Sequence, residues 1–149
     1  MKKQIRRGCF ETNSSSQHSL SISKEGLEPS KFKLNRNGKI EVDFGEFGKR
    51  YEIFDTQYEK LSYLMTCLWY LSGGFNVEDI YNNYEFRRIE RVVCDYAGAT
   101  GIEILGEMEP KIDHQSVPEY EIEIINSWDE DAVINIVNNN YVRLKTDCD

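Results

Sequence analysis

The chain has 149 residues, 40% hydrophobic and 12% aromatic, with a formal net charge of −8. That length fits a single domain able to bury roughly 68–70% of its unfolded surface, and the apolar content excludes a disordered chain. The acidic balance weighs against direct nucleic-acid binding, and no apolar run approaches the ~18 residues of a membrane span. The basic N-terminus lacks the apolar core of a signal peptide, so neither secretion nor membrane insertion is expected.

In chain order, residues 3–10 read as a first strand, with Ile5 and Phe10 as apolar positions behind the basic Lys2, Lys3, Arg6 and Arg7. Residues 10–19, Phe-Glu-Thr-Asn-Ser-Ser-Ser-Gln-His-Ser, read as a dense polar turn, and 20–23 as a second strand. Gly26 and Pro29 mark a loop. Phe32 and Leu34, the Asn35–Gly38 turn, and Ile40, Val42 and Phe44 spell a hairpin, since Asn-Gly supplies the positive φ such turns need. Gly45 and Gly48 end it, and residues 51–54 add a short strand.

Thr56 with Glu59 forms a capping box opening a helix that runs to Gly73-Gly74. Leu61, Leu64, Met65, Leu68 and Trp69 keep the spacing of one buried stripe, making this helix the structural centre. A second helical run follows Asn76, with Val77, Ile80, Tyr81 and Tyr84 on one face and Ile89, Val92, Val93 and Tyr96 on the next. The slip near Asn82-Asn83 predicts a bend or two abutting helices, with Arg87, Arg88 and Arg91 facing outward. Residues 102–105 read as a strand, 110–118 as a loop, and 120–124 as a further strand. Ser127 with Glu130 opens a short helix through Val137, ended by Asn138–Asn140 through asparagine's tolerance of the left-handed region. Tyr141, Val142 and Leu144 give a last strand before Thr146–Asp149.

The four cysteines, Cys9, Cys67, Cys94 and Cys148, are scattered without a CxxC pair. That spacing argues against a zinc module or a disulfide framework and implies reduced thiols in a cytoplasmic protein. Cys67 and Cys94 fall at apolar helical positions and read as small core residues; Cys9, near Arg6 and Arg7, reads as a residue packed on the strand. From Glu103 to Asp131 ten acids face only Lys111, which reads as a solvated acidic face.

The opening Arg-rich lead with Phe-Glu-Thr-Asn-Ser-Ser-Ser-x-His-Ser at 10–19 resembles an uncharacterised family of small phage and prophage proteins. Asp113-His114-Gln115-Ser116 and an acidic end at Thr146–Asp149 resemble the same family. Together they cover about twenty residues, and 31–105 carries no signature. The resemblance implies a mobile-element origin and action in the host cytoplasm, and brings no activity with it. Small phage proteins without an enzymatic signature often antagonise host defences.

Three chemistries suit the polar clusters. Asn13, Ser14, Ser15 and Ser16 can form an anion-holding nest, with Arg6 or Arg7 adding a charge-assisted bond to phosphate. The bland reading is a serine-rich turn that satisfies its own backbone. His18 and His114, the only histidines, suit general acid–base work on a phosphodiester. His114-Gln115-Ser116-Val117 fits the His-x-Ser/Thr-apolar pattern of two-histidine phosphoesterases, whereas His18-Ser19-Leu20-Ser21 places its serine one position early. His18, Asp113, His114 and Asp147, with the terminal Asp149, would suit a divalent transition metal if the segments converge.

These readings combine into one α+β domain: a mixed, mainly antiparallel sheet of about five or six strands, with three or four helices packed on it. The expected function is binding, with no cofactor and no enzymatic role, most readily in blunting a host defence. The ligand site is placed at Arg6, Arg7, Asn13, Ser14, Ser15, Ser16, His18, Ser19, Asp113, His114 and Ser116, and the partner is a phosphorylated small molecule or a host protein. One alternative is an anti-CRISPR-like inhibitor whose acidic 103–131 face imitates nucleic acid. The other is a phosphoesterase with His18 and His114 as its catalytic pair.

Overall fold

The computed structural model describes residues 2–7, 16–23, 26–48, 52–74, 76–112, 130–139 and 144–148. In chain order the elements are β1 (Lys2–Arg7), β2 (Ser16–Ser23), β3 (Lys39–Val42), β4 (Glu46–Phe47) and β5 (Glu52–Phe54). Then come α1 (Gln57–Leu71), α2 (Val77–Tyr81), α3 (Tyr84–Ala97), β6 (Gly101–Ile104), β7 (Lys111–Ile112), α4 (Glu130–Asn138) and β8 (Leu144–Cys148). Helices and short strands mix as an α+β chain. The single sheet of five or six strands does not form among the described residues: the strands divide into one four-stranded antiparallel sheet, β1-β2-β8-β5, and two parallel pairs, β3-β6 and β4-β7.

The two parallel pairs lie along the same two stretches of chain. Thr100 N–H donates to Gly38 O at 2.8 Å, Leu105 N–H to Val42 O at 2.9 Å, and Lys111 N–H to Gly45 O at 3.0 Å. Between the pairs, Asp43–Gly45 on one side faces the longer Leu105–Pro110 on the other. The buried Asp43 carboxylate holds that excess chain, accepting from Glu107 N–H at 3.2 Å and Met108 N–H at 3.1 Å on Oδ2, and from Phe44 N–H at 2.8 Å on Oδ1. A buried carboxylate is tolerable here because main-chain donors replace its water.

Helix α1 begins as its residues dictate. Thr56 Oγ1 accepts Glu59 N–H at 3.1 Å and donates to the Glu59 carboxylate at 2.8 Å. Leu61, Leu64, Met65 and Leu68 are buried and Trp69 half-buried, as the stripe predicts. A second stripe on the same helix was not foreseen. Tyr58, Ser62, Thr66 and Tyr70 recur every four residues and so share a face. Their hydroxyls bond the main chain of the parallel-paired stretches: Tyr58 accepts Asp43 N–H at 3.1 Å, Ser62 donates to Asp43 O at 2.7 Å, and Thr66 accepts Gly45 N–H at 3.1 Å. Tyr70 donates to Pro110 O at 3.2 Å. A Cβ at Gly45 would stand 2.9 Å from the buried Phe47 ring, so a larger residue there requires that ring to shift.

The Asn82-Asn83 slip resolves into two abutting helices. Asn76 caps α2 through Asp79 N–H at 3.1 Å, and Asn83 caps α3 through Glu85 N–H at 2.8 Å. Tyr84, expected inward, becomes the exposed first residue of α3, and Phe86 takes the buried place beside Tyr81. Tyr96 is likewise exposed, its hydroxyl donating to Glu28 O at 3.0 Å. Ile89, Val92 and Val93 are buried as expected, and Cys67 and Cys94 are buried thiols. In α4, Val133, Ile136 and Val137 join the same core.

The predicted hairpin shrinks to a turn with one bridge, Leu34 to Ile40. Asn35 Oδ1 gathers Asn37 N–H at 2.9 Å and Lys39 N–H at 3.0 Å, so the turn closes. The preceding chain then leaves, because Lys31 N–H bonds Gln57 Oε1 at 2.7 Å and Phe32 N–H bonds Ser30 Oγ at 3.2 Å. β3 pairs with β6 instead. The short β4 and β7 fall where glycine punctuation and a loop were expected. The strand expected over 120–124 lies outside the described residues.

Candidate functional site

Antiparallel register decides which of the sequence-predicted residues meet. β2 lies between β1 and β8, so the opening motif and the chain-end motif share one sheet. Across it, Arg7, His18, Thr146 and Glu52 occupy one row, and Arg6, Ser19, Lys145 and Ile53 the next. Ile5, Leu20, Leu144 and Phe54 make the third row, apolar throughout, with Phe54 buried. Cross-strand neighbours lie about 4.5–5.5 Å apart. Successive rows alternate between the two faces of a sheet, so Arg7, His18 and Thr146 share one face and Arg6, Ser19 and Lys145 the other.

Ser16, His18 and Ser19 correct the expected Asn13–Ser19 turn. They are strand residues of β2, because β8 pairs with all three and β1 also pairs with His18 and Ser19. Asn13, Ser14 and Ser15 lie outside the described residues, as do Asp113, His114 and Ser116. The approach to the third motif is placed on a different pair, with Lys111 and Ile112 alongside Glu46 and Phe47. For the metal alternative, Asp147 is in register with Gln17, and His18 with Thr146. Among the described residues no group of three potential metal ligands occurs.

A second feature was missed in the sequence. A cleft of about 570 Å³ opens where residues 28–33, the start of α1 and the end of α4 meet. Lys60, on α1, lines it and is 2% exposed. Its ammonium donates to Asn139 O at 2.9 Å, the position at a helix C-terminus where a cation is favoured. Burial pushes the Lys60 pKa down to about 8, against the opposing pull of Asp55 and Glu28. Glu28 N–H also donates to Asn138 O at 3.1 Å, and Leu27 bridges Asn139. The asparagines thus end α4 through these bonds, and neither Asn138 nor Asn139 adopts the expected left-handed conformation. Asn138 is 2% exposed, and neither its amide nitrogen nor its amide oxygen has a hydrogen-bond partner among the described residues. The signal for Lys60 was available: a lysine four residues before Leu64 sits at the margin of an apolar stripe. Nothing in the sequence marks Asn138 apart from its two asparagine neighbours.

Of the acidic 103–131 stretch, Glu107 and Glu109 are exposed, and Lys111 pairs with Glu109 at 3.8 Å and Glu46 at 3.9 Å. No helix among the described residues is long and apolar enough to cross a membrane. Comparison with protein-family models, with curated proteins and with solved structures found no match.

Proposed function

We propose that the protein acts by binding a phosphorylated small molecule, such as a nucleotide, at the end of the four-stranded sheet, and that it does so as a phage-type antagonist of a host defence. The observation that carries the reading is the pairing of Arg7 with His18 and of His18 with Thr146. Arginine matches phosphate oxygens with a planar fork of donors, and hydroxyls add neutral donors at low desolvation cost. Arg6, Ser19 and Lys145, one residue along each strand, fall on the opposite face of the sheet and stand outside the site in this reading. Asn13, Ser14 and Ser15, which directly precede β2 in the sequence, complete the site in this reading. The phage context rests on the resemblance of residues 10–19 and 146–149.

Thermal melts with pyrophosphate and with linear and cyclic nucleotides test it. Binding to the folded state alone raises Tm by mass action. Arg7→Ala and His18→Ala should each abolish the rise given by pyrophosphate. If no phosphorylated compound shifts the melt, or if Arg7→Ala leaves the pyrophosphate shift intact, the reading fails.

A further inference from the structure

The cleft beside Lys60 carries a separate inference, independent of the phosphate reading. Its volume of about 570 Å³ falls within the range of small-molecule sites. The charges that line it cancel: Glu28, Glu41 and Asp55 face Lys31, Lys33 and Lys60. Lys31 and Glu28 are already paired at 2.8 Å. Such a lining gives no net pull to an anion and favours an uncharged guest.

Asn138 gives the guest its chemistry. A carboxamide carries a donor and an acceptor side by side, and here both are buried with no partner among the described residues. Leaving such groups unmet disfavours the empty state, so a partner offering one acceptor next to one donor recovers what the fold gives up. Neighbouring polar groups do not supply it. The Gln57 amide accepts Lys31 N–H at 2.7 Å and donates to Pro29 O at 3.2 Å, and the Lys60 ammonium bonds Asn139 O. Phe32 and Tyr58 add aromatic wall to the same cleft. A flat heterocycle with a donor–acceptor edge fits that combination, because asparagine pairs with such an edge through two bonds while rings accept its faces.

We propose that this cleft binds an uncharged nucleobase, free or as a nucleoside, with the Asn138 carboxamide as its paired donor and acceptor. The test uses the full chain with adenosine, guanosine, cytidine and uridine. At least one should raise Tm by several degrees, and in the same titration the Asn138 side-chain NH₂ resonances should move. Asn138→Leu should fold, since it removes an unmet amide, and should lose the rise. Arg7→Ala should keep it, which separates this site from the phosphate site. The proposal is overturned if no nucleoside moves either the melt or the Asn138 resonances. It is equally overturned if Asn138→Leu binds nucleoside as well as wild type does. Silent Asn138 resonances would leave an internal water as the amide's only partner, and that too ends the proposal, whether or not Asn138→Leu folds.

Discussion

Thr66 Oγ1 accepts the N–H of Gly45 at 3.1 Å and donates to Ser62 O at 2.8 Å, so one buried hydroxyl joins helix α1 to the stretch between the two parallel strand pairs. Gly45 N–H loses its partner if that hydroxyl goes, and an unmet donor costs about 1–3 kcal/mol. Thr66→Val, which keeps the shape, should lower the unfolding free energy by that amount in urea, whereas Thr66→Ser should lose less. A change below ~0.5 kcal/mol in the valine variant would show that the hydroxyl does not hold the strand.

Lys60 makes stability depend on pH. Its folded pKa, about 8, lies below its ordinary 10.5, so between those values the unfolded chain binds more protons than the folded one. Stability therefore rises with pH across that window, by up to about 1.4 kcal/mol per pH unit. Cys94, pushed up to about 11 from 9.0 by burial and then by Glu90 and Asp95, acts with the opposite sign above pH 9. Tyr81, raised from 10.0 chiefly by burial, acts in the same direction as Cys94 at still higher pH. The interval from pH 8 to 9 isolates the lysine. Urea titrations there should show wild type gaining on Lys60→Met; parallel curves would rule the linkage out.

The two thiols in the core predict selective labelling. Cys67 and Cys94 are buried, and the raised pKa of Cys94 keeps it a thiol at pH 8, where the thiolate is the reactive form. Iodoacetamide followed by peptide mapping should leave both unmodified in native protein and modify both in denaturant. Rapid native labelling of Cys94 would contradict its burial.

Helix α1 and the α2–α3 break were legible because apolar period and asparagine caps are local signals, confirmed at Leu61–Leu68 and at Asn76 and Asn83. Sheet partners were not. The Asn35–Gly38 turn formed, but β3 paired with a strand over sixty residues away, and nothing local distinguishes Ile102–Ile104 from Phe32–Leu34 as its neighbour. The hydroxyl stripe at 58, 62, 66 and 70 was visible as a four-residue repeat, yet its meaning depends on the main chain it meets. Of the predicted site, Arg7 pairs with His18 on one face and Arg6 with Ser19 on the other, because the alternation around Leu20 fixes the register of β2. Asn138 could not have been singled out, since an orphaned amide is a property of packing.

The outer edge of β6 offers the last prediction. Its N–H groups are met by side chains in place of a strand: Ile104 N–H donates to Tyr81 Oη at 2.8 Å, and Ile102 N–H to Glu90 Oε2 at 3.0 Å. An edge so occupied cannot recruit another strand, which is a defence against edge-to-edge association. Tyr81→Phe should cost about 1–3 kcal/mol by leaving Ile104 N–H unmet. Glu90→Ala should add a comparable loss at Ile102. The double variant, with two open donors on one apolar strand, should also associate with concentration, read by light scattering below the melting temperature. A double variant that is less stable yet stays monomeric would keep the hydrogen bonds as stabilising contacts and remove their protective role.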